Sequence, residues 1–194
     1  MIPEIGQVAL VLALFASILQ CIPPLIGAHK NNAQLMALAR PSSAIQLLST
    51  SIAFACLISL FVNNDFSVLN VASNSNSSLP LIYRICASWG SHEGSILLWC
   101  LMLAGWSFAV ARFSKHLPIE MVARILGVMG FISIGTLLFT LFTSNPFIRL
   151  IPAVANGKDL NPLLQDPGMI IHPPMLYMGY VGMSVVFAFA IAAL

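Results

Sequence analysis

The chain has 194 residues, of which 59% are hydrophobic and only 7% are charged, and its mean hydropathy is +0.94. A soluble domain carries about 25% charged residues, so a chain this apolar cannot cover a surface that faces water. It belongs to the class of polytopic membrane proteins. The net charge of +2 is small and the basic residues are scattered, which excludes nucleic-acid binding.

Five apolar runs meet or approach the length of about 20 residues that crosses a lipid bilayer. They cover approximately residues 5–26, 43–62, 95–113, 121–143 and 175–194. The predicted fold class is therefore all-α, a bundle of transmembrane helices within the lipid bilayer. The first run has no basic segment before it and is too long for the apolar core of a signal peptide, so it is interpreted as a true span. The Pro23-Pro24 pair interrupts this run near its end.

The connections between the spans differ in charge. Three Lys or Arg residues lie in the two long loops, 63–94 and 144–174, whereas the short loops and the start of the fourth span hold five, namely Lys30, Arg40, Arg112, Lys115 and Arg124. The positive-inside rule then places the short loops in the cytoplasm and the N-terminus and both long loops outside. In a bacterium this describes a multi-pass protein of the inner membrane with its long loops in the periplasm. In an organelle the equivalent is the mitochondrial inner membrane.

The first long loop ends in a segment, Leu79–Trp89, that predicts a short helix. Ile82, Ile85, Cys86 and Trp89 would share one face of this helix, with Arg84 and Ser88 turned away. Such a helix fits the outer membrane interface, with Trp89 at the depth of the lipid headgroups. The alternative is a helical start to the third span. Cys86 has no partner cysteine nearby and lies in what we take as a loop, so a redox role for it is disfavoured.

Two ionisable residues precede the third span in the sequence WGSHEGS, residues 89–95. His92 and Glu93 could orient a ligand, or this segment could cap the span, with Ser91 or Ser95 as the N-cap residue. The sequence leaves both alternatives open. Within the span, Trp99 and Trp106 are seven residues apart and are therefore expected on one face.

The second long loop leads into the fifth span through Asn161–Gly182, which is rich in Pro, Gly, Asn and Asp. His172 stands directly before Pro173 and Pro174, whose fixed φ and missing N–H suit the first turn of a helix. His172 is therefore expected at or just before the start of the fifth span, on the outer side. A neutral imidazole can bind a metal and serves as an axial ligand of haem iron. The alternative is a histidine that caps the helix or bonds to a loop carbonyl.

Several motifs together resemble the N-terminal part of the CcmF/CycK/NrfE family of cytochrome c-type biogenesis proteins. They are WGSHEGSILLW (89–99), NPF-x-RL (145–150), DLNPLLQDPG-x-x-HPP-x-LY-x-GYVG (159–182) and FAFAIAAL (187–194). The resemblance spans nearly the whole chain, and its third motif is long and specific. Family members are the core haem lyase subunits of the System I pathway.

The resemblance implies a function in covalent attachment of haem to apocytochrome c. Members of the family take haem from a haem chaperone on the outer face of the membrane, and they act with a thioreductive haem lyase partner subunit. The family's first outer haem-ligand histidine lies in the HPP motif, which transfers to His172. The implied cofactor is haem b, and the subunit acts by positioning haem for the cysteine thiols of apocytochrome c, without a general acid, base or nucleophile of its own. Trp89, His92, Glu93, Pro173, Pro174 and Tyr177 are possible supporting residues.

The family pattern continues beyond the segment seen here. Its tryptophan-rich segment, its second outer histidine and its two membrane-embedded histidines are missing from the sequence, so we expect a fragment of a longer chain or the product of a split gene. Three alternatives remain: a paralogue that serves a multihaem nitrite reductase, a permease for haem or another solute, and a structural assembly subunit without haem.

Overall fold

The computed structural model describes all 194 residues and contains eight α-helices. Their bounds are α1 Ile2–Lys30, α2 Ala33–Ala37, α3 Ala39–Val62, α4 Leu69–Asn74, α5 Leu81–Gly90, α6 His92–Phe113, α7 Ile119–Phe142 and α8 Gly168–Ala193. Five of them, α1, α3 (with α2), α6, α7 and α8, are long and apolar enough to cross a membrane. The all-α class and the five predicted spans are confirmed.

The observed helices extend the predicted runs, chiefly at their N-terminal ends. The largest difference is at α8, which begins at Gly168, seven residues before the predicted start at Met175. α1 also continues through Pro23 and Pro24 to Lys30. A proline inside a helix loses its bond to the carbonyl four residues earlier, and its ring crowds that carbonyl. Membrane helices tolerate this when neighbouring groups compensate for the lost bond.

The five long helices form one bundle in which α1 packs between α3 and α7. α6 contacts α3 and α7, and α8 lies on α6 and α7 at the side of the bundle. Close helix crossings use small residues: a Cβ added to Gly130 of α7 would lie 3.1 Å from the Ser17 carbonyl oxygen of α1. The largest fully buried side chains come from all the long helices except α8, for example Leu10, Phe61, Leu97 and Leu137.

The N-terminus and both long loops meet at one end of the bundle. Residues 63–91 and 143–167 pair through an isolated antiparallel bridge between Val68 and Arg149. The Lys158 N–H also donates to the Ala72 carbonyl at 2.7 Å. Arg149 contacts Glu4 at 2.6 Å, which joins the second long loop to the start of α1. The long loops therefore share one face, as the charge distribution predicts.

The Leu79–Trp89 segment is a separate helix, because α5 ends at Gly90 and Ser91 lies in an extended conformation before α6. The predicted division of its faces is wrong in part. Ser88 is buried, whereas Ile82 is 46% exposed. The reason is that Ser88 bonds to the Ile85 carbonyl of its own helix at 2.7 Å, so a buried hydroxyl costs little there. Cys86 lies inside α5 and not in a loop.

Candidate functional site

The start of α8 is built by side chains of the approaching loop. Asn161 accepts a hydrogen bond from the Leu163 N–H at 3.1 Å and begins a short 3-10 turn. Asp166 then accepts from the Gly168 N–H at 2.7 Å, and its carbonyl accepts from the Met169 N–H at 2.9 Å. This Asp-Pro-Gly sequence satisfies the first orphan donors and starts the helix earlier than the prolines suggest.

His172 is consequently the fifth residue of α8, and Pro173 and Pro174 lie in its second turn. The prediction of a helix that starts at the Pro-Pro pair is wrong for the reason just given. His172 is exposed, and its imidazole makes no hydrogen bond and no ring contact within the protein. The capping role that the sequence leaves open is therefore not used, and both ring nitrogens are available to a ligand.

An apolar surface continues from His172 along the same side of α8. Met175, Gly179 and Met183 follow at the three- and four-residue spacing that keeps side chains on one helical face. Together with Leu176 and Tyr180, they line a shallow depression of about 320 Å³. The depression opens at Gly179, where a Cβ would meet no atom within 4 Å. A nitrogen donor beside an open apolar surface fits two requirements of a haem, namely a protein ligand for its iron and a surface for its flat, largely apolar porphyrin ring.

The two prolines leave two carbonyls of α8 without their helical donors. Pro173 cannot bond to the Met169 carbonyl, and Pro174 cannot bond to that of Ile170. The indole N–H of Trp89 donates to the Met169 carbonyl at 3.0 Å. The sequence predicts a place for Trp89 at the membrane interface but not this contact, although the positions of the prolines identify the freed carbonyls four residues earlier.

The other two tryptophans pack α6 against α8. Trp99 makes an edge-to-face contact with Tyr177, with ring centroids 5.8 Å apart. Trp106 donates its indole N–H to the Met178 carbonyl at 3.1 Å. The predicted common face of the two tryptophans is confirmed, because both contact α8. Tyr177 is thus directed towards the bundle, whereas His172 is exposed.

His92 and Glu93 lie at the start of α6. Ser91 is the N-cap residue, as one alternative predicts, and its hydroxyl accepts from the Gly94 N–H at 3.0 Å. The Nδ1 atom of His92 lies 3.0 Å from the Ser144 hydroxyl, and its ring contacts Phe139 edge-to-face. These contacts join the start of α6 to the end of α7, so they favour a structural role for His92. Glu93 is half-buried and makes no ion pair.

Comparisons with known proteins give a consistent result. A sequence profile of the family described as "Cytochrome C assembly protein" matches residues 89–194. The chain is 62% identical to the cytochrome c-type biogenesis protein CcmF of Haemophilus influenzae and 55% identical to that of Escherichia coli, over its whole length. It is 43% identical to the cytochrome c-type biogenesis protein NrfE of Haemophilus influenzae.

A solved structure, titled "Cytochrome c Heme Lyase CcmF", matches with a TM-score of 0.85 and 26% sequence identity. The match covers 100% of this chain and 30% of that protein. The chain likewise spans 30% of the length of the two CcmF relatives and 31% of the NrfE relative.

Proposed function

The chain belongs to the cytochrome c assembly protein family. We propose that it is the N-terminal part of a haem lyase subunit that binds haem b through His172. The observation that carries the proposal is the placement of His172. Its imidazole is exposed and unbonded at the loop end of α8, and an open apolar depression of about 320 Å³ follows it on the same helix.

The residues of this chain hold and orient the haem. His172 would bind the haem iron through an imidazole nitrogen, and Met175, Gly179 and Met183 would offer apolar contact to the ring. When bound, haem supplies the iron and the vinyl groups to which cysteine thiols of apocytochrome c add. The protein contributes proximity and a fixed orientation, which lower the entropic part of the barrier. Pro173 and Pro174 support this by shaping the turn that carries His172.

The partners follow from the family. They are a System I haem chaperone that delivers haem, a thioreductive subunit that keeps the apocytochrome thiols reduced, and apocytochrome c itself. The relatives compared above are bacterial, which supports a place in the bacterial inner membrane with the long loops in the periplasm.

A function in the assembly of c-type cytochromes in general is favoured over one restricted to a multihaem nitrite reductase. The chain is 62% and 55% identical to two CcmF proteins but 43% identical to NrfE. A multihaem enzyme is therefore the second substrate to test, after a monohaem cytochrome c.

The test replaces His172 in the full-length protein. The full-length His172→Ala variant, purified after co-expression with its haem chaperone, is expected to lose the visible absorption of the haem bound at this site and most of the yield of cytochrome c. His116→Ala is the matched control, because His116 is an exposed histidine in the α6–α7 loop at the opposite end of the bundle. Unchanged haem content and unchanged cytochrome yield in His172→Ala would contradict the proposal.

A further inference from the structure

We propose that Trp89 is a positioning residue for His172: its indole N–H takes the place of the backbone N–H that Pro173 lacks, and thereby fixes the turn of α8 that presents the imidazole. This inference rests on the proposed function of His172 as a haem ligand. It assigns Trp89 no contact with haem.

At Pro173, α8 lacks one backbone hydrogen bond. In an α-helix the carbonyl of residue 169 accepts from the N–H of residue 173. Pro173 has no N–H, and its ring also presses against that carbonyl, so the helix can bend at this turn. The indole nitrogen of Trp89 lies 3.0 Å from the Met169 oxygen. Pro174 frees the Ile170 carbonyl in the same way, but no side chain donates to that oxygen. The protein therefore restores one of the two lost bonds, from outside the helix.

The indole of Trp89 is held largely by parts of the protein outside α8. The ring of Trp89 stacks on Phe54 of α3, with centroids 6.4 Å apart and an angle of 20° between the ring planes. Trp89 lies near the end of α5, which packs on α3 and α6 as well as on α8. The position of the donor is thus set mainly by parts of the bundle other than α8. A donor fixed in this way can define the direction of a bend that the prolines alone leave open.

Met169 makes a second contact with α5, beside the hydrogen bond from Trp89. The Met169 side chain, which is 9% exposed, lies against Gly90. A Cβ at Gly90 would lie 2.9 Å from the methyl carbon of Met169. The absence of a side chain at residue 90 lets Met169 reach α5, and the first turn of α8 is docked by both its backbone and its side chain.

The consequence for His172 follows from its place in the helix. It lies three residues after Met169 and immediately before Pro173, within the turn whose missing bond Trp89 replaces. An imidazole that would bind iron has to aim its nitrogen at the metal, so a swing of this turn would misdirect that nitrogen. Because His172 is exposed and unbonded, no contact of its own corrects such a swing.

Trp106 of α6 provides a matched comparison, because its indole also donates to a carbonyl of α8. Its indole N–H donates to the Met178 carbonyl at 3.1 Å. The residue four positions later is Gly182, which has its own N–H, so this carbonyl does not depend on the indole. Loss of the indole donor should therefore matter at Trp89 and not at Trp106.

The experiment uses the full-length protein with Trp89→Phe, Trp106→Phe, Pro173→Ala and the double variant Trp89→Phe/Pro173→Ala. Phenylalanine keeps an aromatic ring for stacking and removes the donor together with part of the indole's volume, a loss of volume that Trp106→Phe shares. We expect Trp89→Phe to increase amide hydrogen exchange at Ile171 and His172 by about fivefold, the factor for one net hydrogen bond. It should also change the haem absorption spectrum and the haem midpoint potential. Trp106→Phe should leave the exchange at these two amides and both haem properties as in the wild type.

The double variant decides between positioning and general stability. Pro173→Ala returns an N–H to residue 173, so Met169 regains a helical donor and the further effect of Trp89→Phe should vanish in that background. Equal effects of Trp89→Phe in both backgrounds, or an effect no larger than that of Trp106→Phe, would overturn the inference. An unchanged haem site in His172→Ala would instead contradict the proposed function, and the hydrogen-exchange result would still test the role of Trp89 in the helix.

Discussion

His172 and Cys86, two side chains with distinctive chemistry, lie in opposite environments. His172 is exposed on α8, whereas Cys86 is 0% exposed within α5. Burial raises the pKa of the Cys86 thiol, because the charged thiolate is poorly solvated there. The thiolate is the reactive form, so this environment favours a packing role for Cys86 over thiol chemistry.

Alkylation kinetics test this assignment of Cys86. At pH 7.5, N-ethylmaleimide should modify Cys86 at least about tenfold more slowly than a thiol introduced by Ser77→Cys, which lies exposed on the same face of the bundle. The rate at Cys86 should also continue to rise with pH after the exposed thiol has levelled off, because a raised pKa leaves less thiolate at any given pH. Peptide mass spectrometry of the full-length protein measures both rates. Equal rates at the two thiols would contradict the assignment.

At the scale of single residues, the sequence singles out candidate side chains but not their contacts. His172 is conspicuous as an ionisable side chain between turn residues and an apolar run. The Trp89 contact was missed because it joins residues 80 positions apart. Only the packing of α5 on α8 brings them together, and no local pattern encodes that packing.

Among the helices, α5 and α6 meet at a corner that only a glycine permits. Ser91 ends α5 and caps α6, which brings the start of α6 onto the last turn of α5. A Cβ at Gly94 would overlap the carbonyl oxygen of Ser88, which is a rigid backbone atom. Gly105 lies in the same helix, and a Cβ there would meet nothing within 4 Å.

This pair of glycines gives a prediction about stability. Gly94→Ala is expected to destabilise the protein by about 2–4 kcal/mol, since the backbone of α5 must move to admit the methyl group. Gly105→Ala is expected to be neutral or to stabilise by up to about 1 kcal/mol, because alanine favours a helix interior. Thermal unfolding of the full-length protein in detergent, read at several heating rates, measures the difference. Equal effects at the two positions would contradict the close approach of Gly94 to the Ser88 carbonyl.

The elements also show where helix prediction from sequence stops. The ends of α3, α6 and α7 lie within a few residues of the predicted runs, because apolar length sets them. The start of α8 does not, since Asp166 and the Gly168 N–H determine it and the prolines do not. Within the spans, buried hydroxyls such as Ser17, Ser133 and Thr140 bond to carbonyls of their own helices. These three hydroxyls are therefore satisfied within their own helices.

At the scale of the whole molecule, four spans form the more buried part of the bundle, and α8 lies at its periphery. In each of the other four spans, between 44% and 50% of the residues in an apolar 18-residue window are buried, against 17% in α8. The helix that carries His172 is thus attached along one side only, to α5, α6 and α7. Trp89, Trp99 and Trp106 contact it from α5 and α6. Its buried Val181 and Ala188 pack in a core cluster with residues of α7. Its open side is where haem would lie in the proposed function, and its one-sided attachment is the reason that contacts at the start of α8 matter for the imidazole.

The orientation of this bundle in the membrane is the last prediction. The two ends differ in charge: the short-loop end carries five Lys and Arg residues, whereas the long-loop end carries three, namely Arg84, Arg149 and Lys158. Arg149 is also bound in ion pairs with Glu4 and Asp65. We expect the short-loop end in the cytoplasm. Alkaline phosphatase, which is active only outside, should be active when fused after Ser77 or after Asp159 and inactive after Lys115. The contacts between the two long loops require the first two fusions to agree. Activity after Lys115 alone would place His172 on the cytoplasmic side and contradict haem attachment on the outer face.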